Sequence, residues 1–126
     1  MDRPKKILIV EDDAATAHAY RGCLERAGYE VQVAVDGLAG LEHIQRSAPD
    51  GVLLDLMLPK MNGIELLKSI RTFHHLARIP VIVYTNAFIP KLVEEASAAG
   101  ATQVFSKSSL SPQVLLTVLS TTVKPN

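Results

Sequence analysis

Six polar side chains have types and spacing that could do chemistry together: Glu11, Asp12 and Asp13 in a row, then Asp55, Thr85 and Lys107. Each follows a short apolar run. Carboxylates held within several ångströms of one another repel, which raises some of their pKa values unless a cation intervenes. A hard divalent ion bound by oxygen resolves the repulsion, and Mg2+ typically takes one or two carboxylates, waters and a phosphate oxygen. Asp55 can then attack a phosphoryl group to give an aspartyl phosphate, while Mg2+ and Lys107 neutralise charge on the equatorial oxygens. Thr85 can donate a hydrogen bond to those oxygens once they are present, a contact that exists in one state only. Taken singly, each residue has a plainer reading. Acids after a strand are often helix caps, Thr85 a strand-end hydroxyl and Lys107 a solvated amine; the constellation favours the site.

The elements that must position these groups alternate. Ile7–Val10 is an apolar, β-branched run that reads as a central strand covered on both faces. Ala17, Tyr20, Leu24 and Ala27, spaced three and four apart before Gly28, give an amphipathic helix closed by a left-handed cap. Glu30–Val35 alternates strictly, with Val31, Val33 and Val35 on one side, as in an edge strand. Asp36-Gly37 opens a second helix carrying Leu38, Leu41 and Ile44, and Gly51–Leu54 is a buried strand ending on Asp55. Asn62 and Glu65 form a capping box ahead of Ile64, Leu67 and Ile70. Val81–Tyr84 is a fourth strand; Leu92, Ala96 and Ala99 mark a helix closed by Gly100, and Val104-Phe105 a short last strand. Ser111-Pro112 suits the start of a fifth helix with Val114, Leu115, Val118 and Leu119. Five strands alternating with five helices predict an α/β fold: a doubly wound, flavodoxin-like parallel sheet in the order 2-1-3-4-5. Its ligand crevice lies at the carboxyl ends of the strands, where the six polar residues fall.

The bulk properties set limits. The chain has 126 residues, 48% hydrophobic, enough for one domain spanning 1–126 with a core over about 5–123. Its 13 basic and 13 acidic residues cancel, and Lys5-Lys6 is the longest basic run, so no direct nucleic-acid or membrane binding is expected. The lone Cys23 reads as packing, and His18, His43, His74 and His75 share no metal-ligand geometry. Met1-Asp2-Arg3-Pro4-Lys5-Lys6 lacks a signal-peptide core, and no output domain is expected after the fifth helix; the expected location is cytoplasmic. Phosphate loops of the GxxxxGK or GxGxxG type are absent.

The segments Val-Glu-Asp-Asp, Leu-Leu-Asp-Leu-Met-Leu-Pro followed by Met-Asn-Gly, Val-Ile-Val-Tyr-Thr-Asn and Ala-Gly-Ala come in this order, with Lys107 late in the chain. In these segments the chain resembles the receiver domain of bacterial two-component response regulators. The resemblance implies that Asp55 is the phosphoacceptor and that Glu11 and Asp12 hold Mg2+ directly or through water. It further implies a metal contact from the backbone carbonyl of Met57, a switch role for Thr85 and phosphate binding by Lys107. Asp13 is left to start the first helix. The implied donors are phosphohistidines on a sensor histidine kinase or phosphotransfer protein, with small acyl phosphates as substitutes, and the implied output is a changed surface for a downstream protein partner. Phe88, Ile89, Leu92 and Val104 are the candidate output residues.

Two positions depart from the family. Ser108 stands where a proline joined by a cis bond is usual, which puts the loop around Lys107 in question, since cis before serine costs ~3–4 kcal/mol. Val104 stands where an aromatic is common, with Phe105 expected on the other face. Met57 and Ala87 carry no group to position attacking water, which predicts slow self-hydrolysis. Two rivals are an aspartyl-phosphate phosphatase and a pseudo-receiver that signals without phosphate. Phosphatases of that kind carry Asp-x-Asp, whereas Met57 follows Asp55-Leu56 here; Ser108 and Val104 leave the pseudo-receiver some room.

Overall fold

In the computed structural model, which describes residues 3–125, the order of elements is the alternation read from the sequence. Met1 and Asp2, part of the start read as lacking a signal-peptide core, and Asn126, the end of the expected domain, lie outside the described residues. Strands β1 (Lys6–Val10), β2 (Glu30–Ala34), β3 (Gly51–Asp55), β4 (Val81–Thr85) and β5 (Gln103–Ser106) form one parallel sheet in the order β2-β1-β3-β4-β5. Helices α1 (Ala14–Arg26), α2 (Gly37–Arg46), α3 (Gly63–Thr72), α4 (Pro90–Ala98) and α5 (Pro112–Thr122) cover it.

Two cores lie on the two faces of the sheet. Ile7, Ile9, Leu53, Ile82 and Tyr84 pack with Tyr20 and Leu24 of α1 and Leu115 and Leu119 of α5. Leu8, Val10, Val52, Leu54, Val81 and Val83 pack with Ile44 of α2, Leu66, Leu67 and Ile70 of α3, and Ala96 of α4. Strand residues alternate between these cores because successive side chains point to opposite faces. Every residue of β3 and β4 is buried, as central parallel strands require.

The starts of the helices follow local chemistry. The side chains of Asp13, Asp36, Asn62 and Ser111 accept hydrogen bonds from the N–H groups of Thr16, Ala39, Glu65 and Val114. Asn62 and Glu65 also bond side chain to side chain at 3.0 Å, completing the capping pair. Some positions differ from the pattern. Val35 lies beyond the end of β2 and is exposed, and Leu38 is exposed because α2 turns Gly37, Gly40 and Ile44 inward instead. Val114 is likewise exposed, leaving Leu115 and Leu119 to anchor α5. Among the described residues, no helix is long and apolar enough to cross a membrane.

Candidate functional site

The carboxyl ends of β1, β3, β4 and β5 converge through the register of the sheet. Val10 pairs with Leu54, Asp55 with Tyr84, and Thr85 with Ser106. Counting along each strand in steps of two, Glu11, Asp55 and Tyr84 fall on the face covered by α1 and α5, and Thr85 on the opposite face. Glu11, Asp55 and Thr85 are all buried, at 1%, 3% and 0% exposure, whereas Asp12 is exposed.

Lys107 reaches into the acids. Its Nζ lies 3.0 Å from Glu11 Oε1 and 3.4 Å from Asp55 Oδ2, so one ammonium bridges both buried carboxylates. Asp55 Oδ1 accepts the Met57 N–H at 2.9 Å, which fixes the plane of the carboxylate. Glu11 Oε2 accepts the Asp13 N–H at 2.9 Å, and Oε1 also accepts the Tyr84 hydroxyl. Asp13 itself turns away to cap α1 through Thr16, as expected. The Thr85 hydroxyl accepts the Ala87 N–H at 3.0 Å, tying the start of the β4–α4 loop to the strand end.

These contacts set the protonation states. Burial raises the Asp55 carboxyl above the usual carboxylate range; the Met57 N–H opposes this, the Glu11 charge adds to it, and Lys107 offsets only part. Glu11 has the opposite outcome. Burial pushes it up, but the Tyr84 hydroxyl, the Asp13 N–H and Lys107 together outweigh burial and hold it low. For Lys107, burial lowers the ammonium while Glu11 and Asp55 more than compensate, so it is raised. Two adjacent acids thus have environments that push their pKa values apart, an arrangement common at functional sites.

Glu11, Asp12 and Asp55 each offer a carboxylate oxygen within 4.8 Å of the others. An all-oxygen donor set with one exposed member fits a hard divalent cation, a kind of ion that also takes water and phosphate oxygens. Met57 stands at the rim, its side chain exposed and its N–H already used by Asp55.

The loop bearing Lys107 answers the question raised by Ser108. The Lys107–Ser108 bond is trans, and Lys107–Ser109 forms a single 3-10 turn. Ser106 and Ser109 hydroxyls bond at 2.6 Å, and the Tyr20 hydroxyl donates to the Leu110 carbonyl at 2.5 Å, fastening the turn to α1. Lys107 is held in place with serine at this position. Val104 and Phe105 point to opposite faces, as alternation requires, packing against different cores. Of the four candidate output residues, Phe88 and Ile89 are exposed, while Leu92 and Val104 are partly buried against the α2–α4 core. Leu92 belongs to the inward stripe of α4 that Leu92, Ala96 and Ala99 mark in the sequence, and it packs against the core that holds Leu66 and Ala96.

Tyr84 is the participant that the sequence pattern did not single out. It is fully buried, bonds Glu11, stacks edge-to-face with Tyr20 at 5.7 Å and lies under Lys107, whose Nζ is 5.3 Å from its ring centre. A signal existed: a tyrosine in a strand covered on both faces needs a partner for its hydroxyl.

Comparison with known proteins agrees with this geometry. Residues 7–120 match the profile of the response regulator receiver domain. The polar-differentiation response regulator DivK of Brucella anthropi is 33% identical over 118 residues, covering 93% of this chain and 95% of DivK. Some relatives are longer: the Synechocystis regulator RpaA is 42% identical over 80 residues, 64% of this chain but 33% of RpaA. Among solved structures, chemotaxis response regulator CheY4 of Vibrio cholerae superposes with a TM-score of 0.88 at 30% identity, covering 96% of this chain and 100% of that one. The Mn2+-bound form of response regulator Rcp1 gives 0.80 at 29%, covering 94% and 93%. A parallel sheet in this order, with an acidic cluster and a lysine at its carboxyl edge and this match along nearly the whole chain, makes the protein a member of the response regulator receiver domain family.

Proposed function

We propose that this receiver domain is a phosphorylation-operated switch in which Asp55 accepts a phosphoryl group from a phosphohistidine on a sensor histidine kinase or phosphotransfer protein. The observation that carries the proposal is the buried Asp55 carboxylate, oriented by Met57 N–H and facing Lys107 at 3.4 Å within an oxygen-donor cluster. An Asp55 oxygen would form the new O–P bond as the P–N bond breaks, and the departing imidazole nitrogen would keep the electron pair. Glu11, Asp12, Asp55 and the Met57 carbonyl are the residues proposed to hold Mg2+. When bound, that ion supplies positive charge beside the transferring group. Lys107 is placed to move from the two carboxylates to the phosphoryl oxygens, and the Thr85 hydroxyl to turn from Ala87 toward them. That the similar structure of Rcp1 is an Mn2+-bound form supports divalent-ion binding by this fold. The proposed output is a changed surface around Phe88 and Ile89, read by a downstream protein in the cytoplasm. Slow self-hydrolysis is part of the proposal, because Met57 and Ala87 carry no polar side chain.

Intact-mass spectrometry after incubation with acetyl phosphate tests this on wild type and Asp55→Asn, with and without Mg2+. A Mg2+-dependent phosphate adduct lost in the variant is the expected result. No adduct on folded wild type, with acetyl phosphate or a phosphohistidine donor, would overturn the switch and favour the pseudo-receiver.

A further inference from the structure

We propose that Tyr84 is a positioning residue of the cation site, its hydroxyl holding the Glu11 carboxylate in the orientation from which Glu11 serves the metal. This rests on the reading of Glu11, Asp12 and Asp55 as the cation-binding acids. Glu11 is 1% exposed, and three groups of the protein hold its carboxylate. The Asp13 N–H holds Oε2, while the Tyr84 hydroxyl and Lys107 share Oε1. Two of these partners differ in permanence. Lys107 also faces Asp55 at 3.4 Å and sits where an incoming phosphoryl group would draw it away. Tyr84 cannot follow: it is at 0% exposure in the centre of the sheet, wedged edge-on against Tyr20.

The hydroxyl therefore remains on Glu11 Oε1 when Lys107 leaves. Without it, a buried carboxylate oxygen would lose its last partner from the protein, a costly state that the side chain would escape by rotating. Groups that orient metal-binding side chains in this way typically change metal affinity by about 10–100-fold when removed.

Tyr84→Phe keeps the ring and its packing and removes only the oxygen. Mn2+ binding, read by electron paramagnetic resonance on the full chain, is expected to weaken about tenfold, the low end of that range. In a Glu11→Ala background the same substitution should cost less than about twofold, since the residue through which Tyr84 acts is gone. A spectroscopic signature separates this role from packing. The chain has three tyrosines and no tryptophan, so Mg2+ added to wild type should produce a saturable tyrosine ultraviolet difference spectrum. That spectrum should vanish in Tyr84→Phe and persist in Tyr29→Phe, whose hydroxyl bonds the Val123 carbonyl instead. Wild-type Mn2+ affinity in Tyr84→Phe, or an undiminished penalty in the Glu11→Ala background, would overturn the proposal while leaving the cation site standing. Wild type that binds no Mn2+ would overturn both.

Discussion

Asp55 is stored in an unfavourable charge state. Its carboxyl is raised by burial and by the neighbouring Glu11 charge, with Lys107 only partly offsetting them. In metal-free buffer at neutral pH, Asp55→Asn should therefore stabilise the fold, by on the order of 1 kcal/mol in urea denaturation. The pH dependence has a definite sign. The folded-state pKa lies above the unfolded one, so the folded protein holds the proton more tightly and ionised Asp55 opposes folding. That opposition is absent below the unfolded value and complete above the folded one. The advantage of Asp55→Asn should shrink as pH falls from neutral through the carboxylate range; an advantage that grows on acidification would contradict the assignment. The reactivity proposed for Asp55 and the stability of the fold would pull apart at this residue, a trade found at many sites that do chemistry.

At the scale of elements, the approach of α3 to the end of β3 decides where Asp55 points. A Cβ on Gly63 would stand 2.5 Å from Leu56 Cα and 2.8 Å from the Asp55 carbonyl oxygen, and both obstacles are backbone. The Gly63 N–H also donates to the Leu56 carbonyl at 3.1 Å, fastening helix to strand. Gly63→Ala should cost about 1–3 kcal/mol by overpacking and slow the reaction with acetyl phosphate, because relief requires moving the β3 end. Gly28 offers a contrast. Its φ is +99° with nothing within 4 Å of an added Cβ, so Gly28→Ala pays only for the left-handed backbone, about 1–2 kcal/mol, and should leave that reaction unchanged. Equal effects of the two variants on the reaction rate would show that the α3 approach does not set Asp55.

Across the whole molecule, the helices are unequally anchored. Helix α3 buries Gly63, Leu66, Leu67 and Ile70, whereas α4 buries Ala96 alone. An element with so little buried surface is among the cheapest to displace. Its carboxyl end is held by Arg71, whose guanidinium donates to the Gly100 carbonyl at 2.7 and 3.0 Å and to the Ile79 carbonyl at 2.7 Å. The amino end, which packs against the core at Leu92, is joined to Thr85 through Asn86, Ala87, Phe88 and Ile89. Inward rotation of Thr85 toward a phosphoryl group would therefore be felt first by the exposed Phe88 and Ile89. Hydrogen exchange over residues 86–98 should change when wild type is phosphorylated and stay unchanged in phosphorylated Thr85→Ala, a loss of coupling worth ~1–3 kcal/mol. The same change in the variant would remove Thr85 from the switch.

The sequence by itself determined the order of elements, the sheet order, and which end of the sheet carries Glu11, Asp12, Asp55, Thr85 and Lys107. These follow from periodicity and caps, which are local: Asp13, Asn62 and Ser111 each meet their partner three residues on. The exposure of Leu38, Val35 and Val114 was less legible, because a helix or edge strand has several faces that periodicity alone ranks poorly. The tertiary structure decided what no local pattern encodes. Only the register of β3 against β4 puts Asp55 beside Tyr84, and only the turn fastened by Tyr20 brings Lys107 across to Glu11. The Tyr84 bond joins residues 73 positions apart. Such contacts depend on three-dimensional packing of distant segments, so the participants were readable from the chain, but their partnerships were not.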